Sequence, residues 1–250
     1  MVSAGFRFYA QLNRLLAPER RGRESRWQGA DDASVKHAVE ALGVPHTEVE
    51  LLLVNGEPAG FGRRLAEGDR VAVYPKFEAL ELGSLPRAGP PPAPPRFFAD
   101  AHLGALARLL RMAGFDTVYD NGLHDDAIVR RAEAEQRIVL SRDRELLKRR
   151  ELAHGAYLHE LRPARQLREV FERFELAGRC EPFSLCLCCN VRLRSADKAA
   201  VAARLPPRVR ERQQRFCECP ACGRLYWEGS HWQRMRARLD ELLTPPAPAG

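Results

Sequence analysis

The chain has 250 residues, of which 45% are hydrophobic and 29% charged, with a formal charge of +7. That balance excludes wholesale disorder, and at roughly 100 to 200 residues per domain the length allows one large unit or two to three small ones. No stretch approaches the ~20 apolar residues a bilayer requires, and Met1 to Ala10 mixes Arg7 into an alternating pattern, so a soluble cytoplasmic protein without a membrane partner is expected.

In chain order, Phe6 and Phe8 alternate with Gly5, Arg7 and Tyr9 as in an opening strand. Ser34 through Leu42 reads as a capped amphipathic helix. Val49 to Val54 is a strand that ends in the turn Asn55-Gly56, and Val71 to Tyr74 is a late strand after Gly68-Asp69. This order is that of a β-grasp module, predicted over 1–82. It resembles the ubiquitin-like sulfur carriers, including their "VNGE" turn and "GDRVAVYP" ending. Those carriers act through a free C-terminal Gly-Gly, whereas this chain runs on through Leu82-Gly83-Ser84. A module that docks a protein partner is therefore expected rather than a covalent carrier, and a role beside sulfur transfer is a third possibility.

Residues 83–95 include Gly89-Pro90-Pro91-Pro92-Ala93-Pro94-Pro95, which predicts a stiff extended linker because proline fixes its backbone angle and lacks the amide hydrogen. From 96 to 178, short apolar strands alternate with helices. Phe97-Phe98-Ala99 precedes a helix over 101–112, Asp116 to Tyr119 precedes one over 126–135, and Arg137 to Leu140 precedes one over 144–149. Repeated βα units imply an α/β domain with a parallel sheet, whose ligand sites lie at the C-terminal ends of the strands.

Asp100, Asp125, Asp126 and Asp143 fall at such ends, and Asp120 is a further candidate. Carboxylates gathered from separate strands repel one another unless a divalent cation sits between them. A hard ion such as Mg or Mn takes oxygen ligands and can activate a water against a phosphodiester. Each aspartate also has a local explanation. Asp125 or Asp126 can cap a helix, and Asp143 likewise begins one. Arg108 and Arg111 stand three residues apart on one helix and could hold phosphates.

The last segment, 179–250, holds thirteen basic and seven acidic side chains, nearly the whole excess of the chain, which suits phosphate contact. Seven cysteines crowd between Cys180 and Cys222, an odd number that does not resemble a secreted disulfide framework. Cys186-x-x-Cys189 and Cys219-x-x-Cys222 make two knuckles, with Asn190 and Gly223 after them as residues tolerant of positive φ. They predict a four-cysteine zinc ribbon, with 29 residues between the knuckles against the more usual ~15 to 20. Cys180, Cys188 and Cys217 are spare thiols. Tyr226, Trp227 and His231, beside a basic helix with Arg234, Arg236 and Arg238 and a short disordered tail, are candidates for base stacking and phosphate contact. Trp227 and Trp232 can equally cover the small core of a ribbon.

The runs "FFADAHLGALARLLRMAGFDTVYD" and "HDDAIVRRAEAEQRIVLSRDREL", followed by the cysteine-rich tail, resemble the Mut-seven C-terminal RNase family. That family is a PIN-like nuclease domain with an appended zinc ribbon, in some members behind a ubiquitin-like domain. The resemblance implies metal-dependent RNA cleavage, with Asp100, Asp126 and Asp143 at the acidic positions. Ser141 stands where threonine is common, and Ala127 stands where an acidic residue is common, which removes one carboxylate. The expected protein is a ribonuclease, endonucleolytic, with structural zinc and catalytic Mg or Mn, acting on RNA such as tRNA or another structured RNA. The rival is a non-catalytic zinc-ribbon adaptor that only binds RNA.

Overall fold

The computed structural model describes residues 1–75 and 93–243. The expected Leu82-Gly83-Ser84 continuation, most of the proline-rich linker and the C-terminal tail lie outside the described residues. In chain order the elements are β1 (Val2–Phe8), β2 (Ser25–Gly29), α1 (Val35–Ala41), β3 (Val49–Val54), β4 (Glu57–Ala59) and β5 (Arg70–Pro75). Then come β6 (Phe97–Ala99), α2 (Gly104–Ala113), β7 (Thr117–Tyr119), α3 (Asp125–Ala134), β8 (Ile138–Ser141), α4 (Arg144–Leu147), β9 (Gly155–Tyr157) and α5 (Pro163–Arg173). The cysteine-rich part adds β10 (Arg194–Ala196), α6 (Lys198–Val201), α7 (Pro207–Arg212), β11 (Phe216–Glu218), β12 (Leu225–Trp227) and α8 (Ser230–Leu243). No helix among the described residues is long and apolar enough to cross a membrane.

Two compact units arise from this chain, one of Met1–Pro92 with His124–Tyr157 and one of Ala93–Leu123 with Leu158–Gly250. The division runs through the stretch expected at 96–178.

In the first unit, the N-terminal sheet has the order β2-β1-β5-β3-β4, with β1 and β5 parallel and the other neighbours antiparallel. A parallel pair at the centre, flanked by hairpins, is the β-grasp arrangement expected from the sequence. Alternation decides which faces are buried: Val2, Ala4, Phe6 and Phe8 of β1 join Val35, Ala38 and Val39 of α1 in one apolar core. Ser34 opens α1 by accepting the His37 amide at 3.2 Å on its hydroxyl, as an N-cap does. The β3–β4 turn uses Asn55 at φ 54° and Gly56 at φ 87°, two successive left-handed residues that Asn-Gly supplies at little steric cost. The Asn55 side chain then ties the turn to Asp69 Oδ1 at 2.8 Å and accepts from the Arg70 amide at 2.9 Å.

The same unit holds α3, β8, α4 and β9, with β8 and β9 parallel. The N-terminal module meets this group through three consecutive buried polar residues, His46, Thr47 and Glu48. His46 sets Nδ1 2.7 Å from Glu40 and Nε2 2.9 Å from the Leu152 carbonyl. Glu48 Oε1 accepts the Tyr157 amide at 2.6 Å. Arg144 donates to the Leu15 carbonyl at 2.8 Å and lies over the Tyr157 ring, which packs on the N-terminal core. Glu48→Ala leaves the half-buried Tyr157 amide without this partner, a loss of about 1 kcal/mol or somewhat more. A fall of several degrees in the thermal midpoint is expected, against little change for the exposed Glu57→Ala; equal midpoints for the two variants would refute this role for Glu48.

In the second unit, β6 and β7 are parallel and α2 packs on α5 and α8. The cysteine-rich part is a three-stranded antiparallel sheet in the order β10-β11-β12. Its small core is Val201, Leu205 and Phe216, with Trp227 packed against it. The long spacer between the knuckles is accounted for by α6 and α7, which precede β11 and carry Val201 and Val209 to that core.

Candidate functional site

Cys186, Cys189, Cys219 and Cys222 bring their sulfurs within 4.8 Å of one another. Two turns of the same construction place them. Asn190 at φ 60° and Gly223 at φ 68° close the knuckles, and their amides donate to the carbonyls of Cys186 and Cys219 at 2.9 and 2.8 Å. The Cys189 amide faces Cys186 Sγ at 3.4 Å. Sulfurs at ~2.3 Å from a tetrahedral zinc ion are about 3.8 Å apart, and Cys186 and Cys222 are separated by 3.8 Å. The four thiols therefore fit a metal of zinc's size and softness.

The titration of the cluster follows from crowding. Burial pushes the Cys186 thiol up, but the Tyr226 hydroxyl and the amides of Cys189 and Cys188 outweigh it and bring it down to about 6. Cys189 is pushed up to about 12, chiefly by its hydrogen bond with Cys222 and then by desolvation and the charge of Cys186. Cys219 is also raised, first by burial. Such coupled thiols hold few negative charges until a cation offsets their repulsion. Tyr226 sets its hydroxyl 3.1 Å from Cys186 Sγ and accepts the Leu187 amide at 3.2 Å, so its polar end serves the knuckle.

Arg111 corrects an expectation. It does not share a solvent face with Arg108: it is buried, and its guanidinium donates to the carbonyls of Thr117 at 2.8 Å, Leu187 at 3.1 Å and Cys188 at 2.9 Å. Burial lowers its pKa and the cysteines beside it raise it. A side chain so committed ties α2 and β7 to the first knuckle and is not open to phosphate. Asn190 extends the link, accepting the Thr117 amide at 2.8 Å and donating to Asp116. Sequence spacing could not show this, because Arg at a helix position reads as solvated unless its carbonyl partners are known.

Arg108, by contrast, is exposed and lines two adjoining cavities of the second unit. The smaller, about 200 Å³, is walled by Leu187, Leu225, Tyr226, Trp227, Trp232 and Met235. The larger, about 740 Å³, runs between α2, the start of α5 and α8, and carries Arg234 and Arg238. Arg108, His231 and Met235 border both. The sequence candidates Arg108, Tyr226, Trp227 and His231 thus meet on one surface. Arg224, Arg234, Arg238 and Trp232 join them, and the helical periodicity of α8 is the signal that groups the last three. Trp227 serves the ribbon core as well, and Trp232 packs on Phe183 with ring centroids 5.1 Å apart.

The aspartates are placed differently. Asp100 belongs to the second unit, is buried, and accepts the Ala101 amide at 2.6 Å. Asp125, Asp126 and Asp143 belong to the first unit and are exposed. Asp125 and Asp126 are the first residues of α3; the capping position is His124, so neither is the cap expected from the sequence. Asp126 pairs with Arg149. Asp143 caps α4 by accepting the Glu145 amide at 2.8 Å. Asp120 accepts the Gly122 amide at 3.0 Å. Within the first unit its three aspartates form no cluster of ligand atoms; among the described residues the four cysteines are the metal-binding group found.

The Mut7-C RNAse domain model matches residues 95–239, more than half of the chain. The chain belongs to the Mut7-C RNase family. The model of the Mut7-C ubiquitin domain matches residues 1–81, so the β-grasp module is the one that accompanies this RNase domain. No curated protein matches the chain. Among solved structures, SAMP1 from Haloferax volcanii is 26% identical over 31% of this chain and 98% of that one, with a TM-score of 0.26. A putative molybdopterin converting factor subunit 1 from Pyrococcus furiosus is 20% identical over 31% of this chain and all of that one, with the same TM-score.

Proposed function

We propose that this member of the Mut7-C RNase family is a metal-dependent endoribonuclease that grips RNA on the groove between α2 and α8, beside a zinc-filled four-cysteine site. The observation that carries the reading is the grouping of Arg108, His231, Arg234 and Arg238 with aromatic rings on one face of an RNase-family domain. Guanidinium groups suit phosphate oxygens, and rings suit bases. Cys186, Cys189, Cys219 and Cys222 would hold zinc as a structural ion, which would tie the two knuckles together and fix the wall that Leu187 and Tyr226 present. Hydrolysis falls in this reading to the family's acidic positions Asp100, Asp126 and Asp143, with Asp125 beside them, and Mg or Mn is the ion that carboxylates of this kind take. The β-grasp module serves as a protein-docking or bracing domain.

A second reading, a non-catalytic RNA-binding adaptor, is favoured by one observation: Asp126 is engaged by Arg149 and Asp143 by the start of α4, with no ready cluster among the aspartates of the first unit.

Binding tests the shared part of both. Replacing Arg108, Arg234 and Arg238 together by glutamine removes three phosphate partners, so the slope of log K against log salt for a single-stranded RNA should become shallower by about 2. Affinity measured by fluorescence anisotropy across a salt series checks this. A slope the same as that of the unaltered chain rejects the groove as the RNA site.

A further inference from the structure

The smaller cavity differs from an ordinary phosphate track. Its lining is mostly apolar and aromatic, drawn from the first knuckle, β12 and the start of α8, with Arg108, Arg224 and His231 among the lining residues. We infer that it is a base pocket, and that the chain selects an unpaired nucleotide of single-stranded RNA, turned out of the strand and seated against Trp227, Trp232 and Met235. The inference rests on the reading above that the groove takes RNA, and it names which RNA.

Shape and charge together support it. A base inside an A-form duplex is stacked on both faces, and its shallow minor groove offers edges rather than a free ring, so a walled pocket cannot accept it. A base in a single strand has its faces free and can enter. The two cavities share Arg108, His231 and Met235, so a strand that seats one base in the smaller has its backbone beside the cations of the larger. Arg224 also lines the smaller cavity, with its guanidinium donating to Cys188 Sγ, which adds a cation to the same nucleotide site. Apolar rings together with guanidinium groups suit a flat aromatic ring that carries phosphate. Because the Tyr226 hydroxyl is held at the knuckle, its ring forms a fixed wall.

The test uses the full, zinc-loaded chain in buffer free of Mg and Mn, with a twelve-nucleotide oligoadenylate RNA alone or annealed to its complement. Base stacking on an aromatic ring contributes about 1–3 kcal/mol, which is roughly 5- to 150-fold in affinity. The single strand should therefore bind at least about fivefold tighter than the duplex and quench tryptophan fluorescence. Met235→Trp, at a half-exposed position on α8, fills the cavity without disturbing the buried core. It should remove most of the preference for the single strand over the duplex. Equal binding of single strand and duplex, or a preference that survives Met235→Trp, overturns the base pocket but leaves the groove as an RNA site. Binding that is insensitive to the triple arginine replacement overturns both the pocket and the reading it rests on.

Discussion

Serine at Cys219 and Cys222 is expected to yield a chain without stoichiometric zinc whose cysteine-rich part has lost its fixed structure. The expected size follows from what the metal replaces. Structural zinc in small domains contributes on the order of 10–16 kcal/mol at neutral pH, whereas one hydrogen bond contributes about 1 kcal/mol. The apolar core beneath the sheet of β10, β11 and β12 is three buried residues with a few half-buried neighbours, too little to hold the ribbon by itself. The damage should also reach beyond the knuckles. Arg111 takes the Leu187 and Cys188 carbonyls as acceptors, and Asn190 holds the Thr117 amide, so once the first knuckle unwinds, α2 and β7 lose partners they cannot replace locally. Metal analysis and amide hydrogen exchange measure the two effects. Cys180→Ser and Cys188→Ser, outside the ligand set, should keep one zinc per chain; zinc retained by the Cys219/Cys222 variant would reject these ligands.

Which parts of this were legible in the sequence depends on whether the signal is local. The Asn55-Gly56 turn, Ser34 as a cap, and Asn190 and Gly223 after the knuckles each depend on backbone angles that few residue types tolerate, and all four stand as expected. The strands β3, β5, β6 and β8 are short apolar runs with turn residues at their ends, and their places follow within a residue or two. Strand β2 gives a weaker signal, since Ser25-Arg26-Trp27-Gln28-Gly29 has a single large apolar residue and pairs only with β1 at the sheet edge. The helix α5 buries Leu167, Val170 and Phe171, a helical spacing that is present in the sequence but set among arginines and glutamates. What the sequence cannot carry is the pairing of distant groups. Nothing near Arg111 announces carbonyl partners some 76 residues away, nor does anything near Glu48 announce the Tyr157 amide.

The acidic residues are the sharpest case of this limit, because the same position at a strand end suits both a helix cap and a metal ligand. The structure makes the two roles separable by substitution. Asparagine caps a helix about as well as aspartate, so Asp100→Asn and Asp143→Asn keep an acceptor for the Ala101 and Glu145 amides and remove the negative charge alone. Stability should change by less than about 1 kcal/mol. Asp126→Asn loses its pairing with Arg149, an exposed contact of the kind that contributes roughly 0–1 kcal/mol. Folding is therefore nearly constant across the series, and activity is free to report chemistry. If these carboxylates perform hydrolysis, each amide should lower the Mn-dependent cleavage of a single-stranded RNA by at least about a hundredfold, as loss of a group acting in proton transfer does, while RNA affinity stays within about threefold. Single-turnover cleavage beside anisotropy measures both quantities. Cleavage that survives all three substitutions, or never depends on Mg or Mn, assigns the nuclease signal to a contaminant and leaves the RNA-binding adaptor, whose groove carries the same arginines without using the aspartates at all.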